Sequence, residues 1–213
     1  MRRLLYLILI LGLVAIPLQS SQASESEGRV KCRSTSAVPH SPITVSIPSL
    51  LTQFPKTIKL ETNCGTIEIA TVGNKAPLTL SVLASLANQG FYDNSLCHRL
   101  TTAGIWVLLC GDPTATGDNF GLPFSYQDEN LPTNILNNYP AGTVAMANSG
   151  PNTNRNIFFL VYQDTTLPPS YTIWGHVTQG LNIVKAIAAA GVVGGSTDGF
   201  PVQKIALLKV KVK

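Results

Sequence analysis

The chain has 213 residues, enough for one domain of ordinary size with a proper core once an apolar N-terminal stretch is set aside. Only 12% of the residues are charged, and the net charge of +4 less Arg2 and Arg3 leaves +2, which gives no electrostatic case for nucleic-acid binding. The four cysteines, Cys32, Cys64, Cys97 and Cys110, show neither a CxxC pair nor a metal-ligand spacing, so a zinc site is disfavoured.

Residues 1–23 have the three parts of an export signal. Arg2 and Arg3 supply the positive end, Leu4 to Leu18 an apolar run, and Ser21-Gln22-Ala23 a small-residue cleavage pattern. Cleavage after Ala23 is expected; the alternative is an uncleaved membrane anchor, for which the run falls short of the ~20 residues of a spanning helix. Either way the rest of the chain would be extracytoplasmic, secreted or held at the cell surface, where disulfides are permitted. Four cysteines allow three complete pairings, and sequence does not choose among them. Cys97 and Cys110 end two successive β-like runs that should pair, so a bridge between them is one hypothesis.

Residues 24–56 are rich in Ser, Thr and Pro and poor in large apolar groups, which predicts a flexible tether. A second reading packs Ile43 to Phe54 on the outside of the domain. The domain itself is expected over 57–213. Thr57 to Glu61 and Thr66 to Val72 alternate like strands across Thr62-Asn63-Cys64-Gly65, a hairpin signal. Ala76 to Asn88 reads as a helix: Pro77 suits its first turn, Gly90 its end, and Leu80, Leu83, Ala84 and Ala87 share a face. Leu96 to Leu100 and Ile105 to Cys110 are the next strands. A long Gly-, Pro-, Asn- and Asp-rich region follows over 111–141. In it, Asp128-Glu129 reads as a solvated or structural acid pair with no reaction to serve. Thr143 to Ala147, Ile157 to Tyr162 and Tyr171 to Val177 are further strands. Gly180 to Ala190 is a second helix, and Ile205 to Val212 a closing strand with Lys209, Lys211 and Lys213 facing outward in alternation. Many short strands with two helices predict a mainly β domain, a closed antiparallel barrel.

The most informative stretch is Met146-Ala147-Asn148-Ser149-Gly150-Pro151-Asn152-Thr153-Asn154-Arg155-Asn156-Ile157-Phe158-Phe159, a polar loop between two strands. A second block is Cys97-His98-Arg99 followed by the turn Gly111-Asp112-Pro113. Together these resemble the cyclophilin family of peptidyl-prolyl cis-trans isomerases, whose pattern is Met-Ala-Asn-x-Gly-Pro-x-Thr-Asn-Gly-Ser-Gln-Phe-Phe with His-Arg and Gly-Asp-Pro upstream. The resemblance covers 57–212. It implies an eight-stranded closed barrel with a helix over each end, a solid core, and a peptide groove on the outer wall.

It also implies residue roles. Arg99 takes the position of the family's catalytic arginine. Phe159 would floor a proline pocket, with Val107, Leu167 and Trp106 as its walls, while Phe158 is core. Ala147 and Asn148 match positions that bind the substrate backbone, and Tyr171 and Thr166 stand where many relatives have His and Trp. His98 reads as a packed structural histidine. Two departures stand out: Leu109 and Ile157 replace glutamines that, in the family, hydrogen-bond the peptide and help hold the arginine. The block between Arg99 and Asp112 is also two residues longer than in many relatives, and Arg155 replaces a glycine beside the groove.

The implied reaction makes and breaks no covalent bond, so no cofactor and no metal are called for. A prolyl bond turns slowly because amide resonance resists, a barrier of ~18–20 kcal/mol. A pocket for the twisted ring and a guanidinium that donates to the proline nitrogen would lower it. The expectation is an exported, monomeric isomerase of reduced activity acting on X-Pro segments of unfolded or flexible clients. The alternative is a proline-peptide binding or chaperone module with little turnover.

Overall fold

The computed structural model describes residues 30–118 and 121–213; the expected export signal lies outside them. The strands are β1 (Thr57–Thr62), β2 (Gly65–Thr71), β3 (Ser95–Leu96), β4 (Arg99–Thr101), β5 (Val107–Cys110), β6 (Thr143–Met146), β7 (Phe158–Val161), β8 (Ile173–Gln179), β9 (Asp198–Gly199) and β10 (Ala206–Val212). The helices are α1 (Pro77–Asn88) and α2 (Leu181–Ala190). All strand pairs are antiparallel, in the order β3-β10-β1-β2-β8-β6-β7-β5-β4-β9.

This is a mainly β fold with two helices, but the expected closed eight-stranded barrel is corrected to a curled, open sheet of ten strands, a half-barrel. The reason lies in the run Leu96 to Leu100, read from sequence as one strand. It is split. The Cys97 N–H donates to the Ile205 carbonyl (3.0 Å) and the His98 N–H to the Leu109 carbonyl (3.0 Å), so the chain crosses here from β10 to β5. β3 and β4 therefore belong to opposite ends of the ladder, and Asp198 and Gly199 add a tenth strand beyond β4.

The main core lies inside the curl, where Ile58, Leu60, Ile67, Ile69, Leu100, Leu108, Val144, Phe158, Leu160 and Trp174 are buried together. α1 is buried nearly all round rather than on one face, Val82 and Leu86 as well as Leu80, Leu83, Ala84 and Ala87. A helix apolar on all sides needs cover on all sides. Part of that cover is the segment before β1, whose Leu51 N–H donates to Ser81 Oγ at 3.0 Å.

Residues 30–56 carry no helix or strand, yet they are fastened to the domain instead of hanging free. Cys32 is bonded to Cys64, Val45 joins the core cluster, and Phe54 packs against it. Arg33 exchanges backbone and side-chain hydrogen bonds with Asn63, and the Lys56 N–H donates to the Lys213 carbonyl. The second disulfide joins Cys97 to Cys110, tying the crossing point to the end of β5.

Asp128 and Glu129 are structural. The first-turn N–H groups of α1 have no partners within the helix, and the Glu129 carboxylate accepts from the Leu78 N–H (2.9 Å), the Thr79 N–H (2.9 Å) and the Thr79 hydroxyl (2.8 Å). Asp128 accepts from the Asn152 N–H and the Asn154 side chain, both at 2.9 Å, and so ties the long region 111–142 to the loop before β7.

Candidate active site

Residues directly opposite one another in an antiparallel ladder point to the same face of the sheet. One row runs across five strands: Arg99 opposite Leu109, Leu109 opposite Phe159, Phe159 opposite Ala145, and Ala145 opposite Ile173. The next row, Leu108, Leu160 and Val144, points inward to the main core. The first row therefore faces outward, where it meets a second apolar cluster of Val107, Tyr139, Ala145, Phe159 and Val161.

On this outer face sits a hollow of about 190 Å³ lined by Arg99, Ile105, Val107, Leu109, Gly117, Ala147, Asn148, Ser149, Ile157, Phe159, Leu167 and Tyr171. It is smaller than the ~300–1,000 Å³ of sites that enclose drug-sized ligands, and suits one ring with its chain left outside. Phe159, only 4% exposed, forms the floor. Its ring stands at a steep angle to Tyr171 (centroids 5.6 Å apart), and both rings lie 6.2 Å from Tyr139. Tyr171 packs edge-to-face on both other rings and Tyr139 is tilted against Phe159, so the three rings support the floor together. Tyr139 in turn is anchored by its hydroxyl, which donates to the Tyr171 carbonyl at 3.1 Å.

All the residues expected at the site meet here except Trp106. Side chains alternate along a strand, so Val107 and Leu109 share the outer face with Ile105, while Trp106 turns away and packs edge-on against Tyr162, 6.3 Å between centroids. Trp106 instead borders a separate, broader cleft with Tyr162, Asp164 and Lys185, which none of the row reaches. The same alternation, applied outward from Val107, would have found Ile105 in the sequence. Gly117 and Ser149 were also missed; they come from loops and leave no periodic signal.

Arg99 lines the rim, 44% exposed, and its position is set by Asp198. Nε donates to one carboxylate oxygen and Nη2 to the other, each at 2.7 Å. The pair is exposed rather than buried, since the Asp198 side chain is 51% accessible. The hydrogen bonds from Arg99 hold the Asp198 carboxyl below the usual carboxylate range, and Asp198 raises Arg99 in return. Of five guanidinium N–H groups, Asp198 takes two; three remain for other acceptors.

Asn148 is engaged through its side chain, which donates to the Ser170 carbonyl at 2.7 Å and accepts from the Gly150 N–H at 3.3 Å. The Gly111-Asp112-Pro113 turn leads from β5 into the loop that reaches the hollow at Gly117. Gly111 has φ +96°, and a Cβ there would lie 2.5 Å from the Asn156 carbonyl oxygen, so only glycine fits. The Asp112 carboxylate accepts from the Thr114 N–H (2.9 Å) and the Gly117 N–H (2.8 Å), fixing the loop that brings Gly117 to the hollow. Arg155 points elsewhere, donating to the Leu122 carbonyl. His98 is buried, and neither ring nitrogen has a partner among the described residues. Burial pushes its pKa down, Asp112 opposes this, and the Arg99 charge adds to it. It packs beside the site: its backbone N–H donates to the Leu109 carbonyl, and its ring lies behind Gly117, where an added Cβ would stand 3.7 Å from Nε2.

Residues 57–212 match the family of the cyclophilin type peptidyl-prolyl cis-trans isomerase. The chain belongs to the cyclophilin family. It is 40% identical over 195 residues to the probable peptidyl-prolyl cis-trans isomerase B of Mycobacterium tuberculosis, covering 85% of this chain and 58% of that protein. The corresponding Mycobacterium leprae protein is 38% identical over 202 residues, covering 89% of this chain and 64% of that protein. The chain thus spans about three fifths of the length of these mycobacterial relatives. A shorter cyclophilin, the peptidyl-prolyl cis-trans isomerase-like 1 of Emericella nidulans, is 31% identical, covering 73% of this chain and 93% of that one. In fold, the chain is similar to a Cryptosporidium parvum cyclophilin crystal structure, with a TM-score of 0.62, 21% identity, and coverage of 75% of this chain and 98% of that one. The same cyclophilin was also solved in the presence of the dipeptide Ala-Pro, and that structure superposes with a TM-score of 0.61.

Proposed function

We propose that this chain is a peptidyl-prolyl cis-trans isomerase, that the hollow over Phe159 takes the proline ring, and that Arg99 is its catalytic residue. The observation that carries this reading is the row Arg99, Leu109, Phe159: a guanidinium with N–H groups to spare at the rim of an apolar floor. The planar amide on either side of the rotation keeps its nitrogen lone pair in resonance. At the twisted midpoint the lone pair is released, the nitrogen becomes pyramidal, and an Arg99 N–H can donate to it. That bond exists only at the midpoint, so it lowers the barrier rather than tightening ground-state binding. Val107, Leu167 and Tyr171 wall the ring, and Ile105 supplies the wall assigned from sequence to Trp106. The Asn148 amide is occupied by the Ser170 carbonyl and the Gly150 N–H, so the main chain at Ala147 and Asn148 is left to hold the peptide backbone. The Ala-Pro dipeptide used with the Cryptosporidium parvum relative is the minimal ligand of this kind.

Turnover is below that of relatives with glutamines at 109 and 157, because two apolar side chains cannot hydrogen-bond the peptide. The clients are X-Pro segments of proteins met outside the cytoplasm, reached by way of the export signal at 1–23, and the chain works as a monomer. A protease-coupled assay on a short X-Pro peptide tests the reading. The expected outcome is catalysis above the spontaneous rate, with kcat/KM about a hundredfold lower in Arg99→Ala, as for loss of one preorganised donor. Identical spontaneous rates for both proteins would remove the enzymatic reading. Peptide titration would then decide whether a binding module remains, the reading that Leu109 and Ile157 favour.

A further inference from the structure

We infer that Asp198 is a positioning residue for Arg99, holding the guanidinium in one orientation over the hollow. This rests on the isomerase reading of the same site. An arginine side chain at a half-exposed rim has many rotamers open to it, and only a few aim its donors at the floor. Leu109 lies directly opposite it, and Ile105, Val107, Ile157 and Phe159 complete that side without a side-chain acceptor, while the polar groups of the hollow, Asn148, Ser149 and Tyr171, make no hydrogen bond to Arg99 among the described residues. Asp198 supplies two parallel charge-assisted hydrogen bonds, the arrangement that fixes the plane of a guanidinium as well as its position.

The carboxylate is itself placed by backbone. β9 consists of two residues and pairs only with β4, the strand that carries Arg99, with Asp198 opposite Thr101 and Gly199 opposite Leu100. The Thr102 N–H donates to the Thr197 carbonyl at 2.8 Å, and Ser196 Oγ accepts from the Asp198 N–H at 3.2 Å. Acid and arginine thus ride on adjacent, hydrogen-bonded strands, so a shift of one carries the other. An exposed pair adds little to stability; its worth here is orientation, where a small misplacement of a catalytic group costs a large factor in rate.

The test compares wild type, Asp198→Ala, Asp198→Asn, Arg99→Ala and the Arg99→Ala/Asp198→Ala double variant in the X-Pro assay. Beside it runs the 15N-edited NMR signal of the Arg99 Nε–H. The expected result is a fall of about tenfold in kcat/KM for both Asp198 variants, carried by kcat with KM little changed. The same substitution should have no further effect in the Arg99→Ala background. The Nε–H signal should be sharp and slow to exchange in wild type and broadened in Asp198→Ala. Leu109→Gln, which puts an amide oxygen opposite Arg99, should recover part of the loss in Asp198→Ala. Unchanged or higher activity in Asp198→Ala, a loss that persists without Arg99, or an unaltered Nε–H signal would each overturn the inference. A wild type with no turnover would end the isomerase reading, while the NMR signal would still decide whether Asp198 orients Arg99.

Discussion

The inner and outer faces of β5, β6 and β7 are made from alternate residues of the same strands, yet they are finished differently. Inward, Leu108, Val144 and Leu160 meet the opposite wall of the half-barrel and are fully buried. Outward, Leu109, Ala145 and Phe159 meet only a thin layer of loop side chains, Tyr139, Leu167 and Tyr171, and that layer stops short, leaving the hollow. The inner face is complete and carries stability. The outer face is an unfinished core, and in the proposed function a ring from another chain finishes it. In that reading the chemistry sits at its rim, where Arg99 ends the row.

The comparison is sharpest at two neighbouring leucines. Leu108→Ala opens a cavity in the closed face and should cost ~2–5 kcal/mol, read as a lower midpoint in urea. Leu109→Ala borders an existing hollow and should cost less than ~1 kcal/mol. Similar losses at both would show that the outer face is as load-sharing as the inner one.

A second way to probe the contrast is to add polarity. Leu109 is partly exposed and can accept a glutamine, whereas Ile157 is only 2% exposed and a glutamine there would bury an amide. Leu109→Gln alone should therefore raise kcat/KM about two- to tenfold, the worth of one net hydrogen bond to the peptide. Adding Ile157→Gln should give back part of that gain through lost stability, measured as a lower Tm of the double variant.

The smallest expected effect concerns His98, at the boundary between the two faces. Its folded pKa lies below the ordinary 6.5 because burial disfavours the charged ring. The unfolded chain therefore takes up a proton before the folded one does. Stability is fully present above pH 6.5 and declines as pH falls from there toward the folded pKa. Melting temperature followed downward from pH 7.5 should show this decline, and His98→Leu should flatten it.

Much of the architecture was readable because it rests on local patterns. Pro77 and Gly90 bracket α1, Gly191 ends α2, and the lysines of β10 alternate outward to Glu61 and Asp93. Nine of the ten expected lining residues share the hollow with one another, since the resemblance that the two sequence blocks carry locates them. The errors have physical causes too. Trp106 was carried over from the resemblance, in a block two residues longer than in many relatives, whereas the strand's period of two assigns the outer face to Ile105, Val107 and Leu109. The single strand over Leu96 to Leu100 looked continuous because hydrophobicity does not record which carbonyl each N–H will find. The Ser-, Thr- and Pro-rich segment before β1 looked too polar to hold a place; Cys32, Val45 and Phe54 were enough to fix it once partners existed.

The amino-acid order by itself marked both helices and most strands and which of their residues face which side, because those follow from spacing along the chain; the resemblance of two sequence blocks, not spacing, pointed to Arg99 and Phe159 together. Tertiary structure alone decided that the sheet stays open, that Cys32 finds Cys64, that Glu129 caps α1, and that Asp198 reaches Arg99. These partners lie 32, 51 and 99 positions apart. At such distances a charge or a thiol carries no mark of its partner, and only the closing of the chain around a shared core brings them within bonding range.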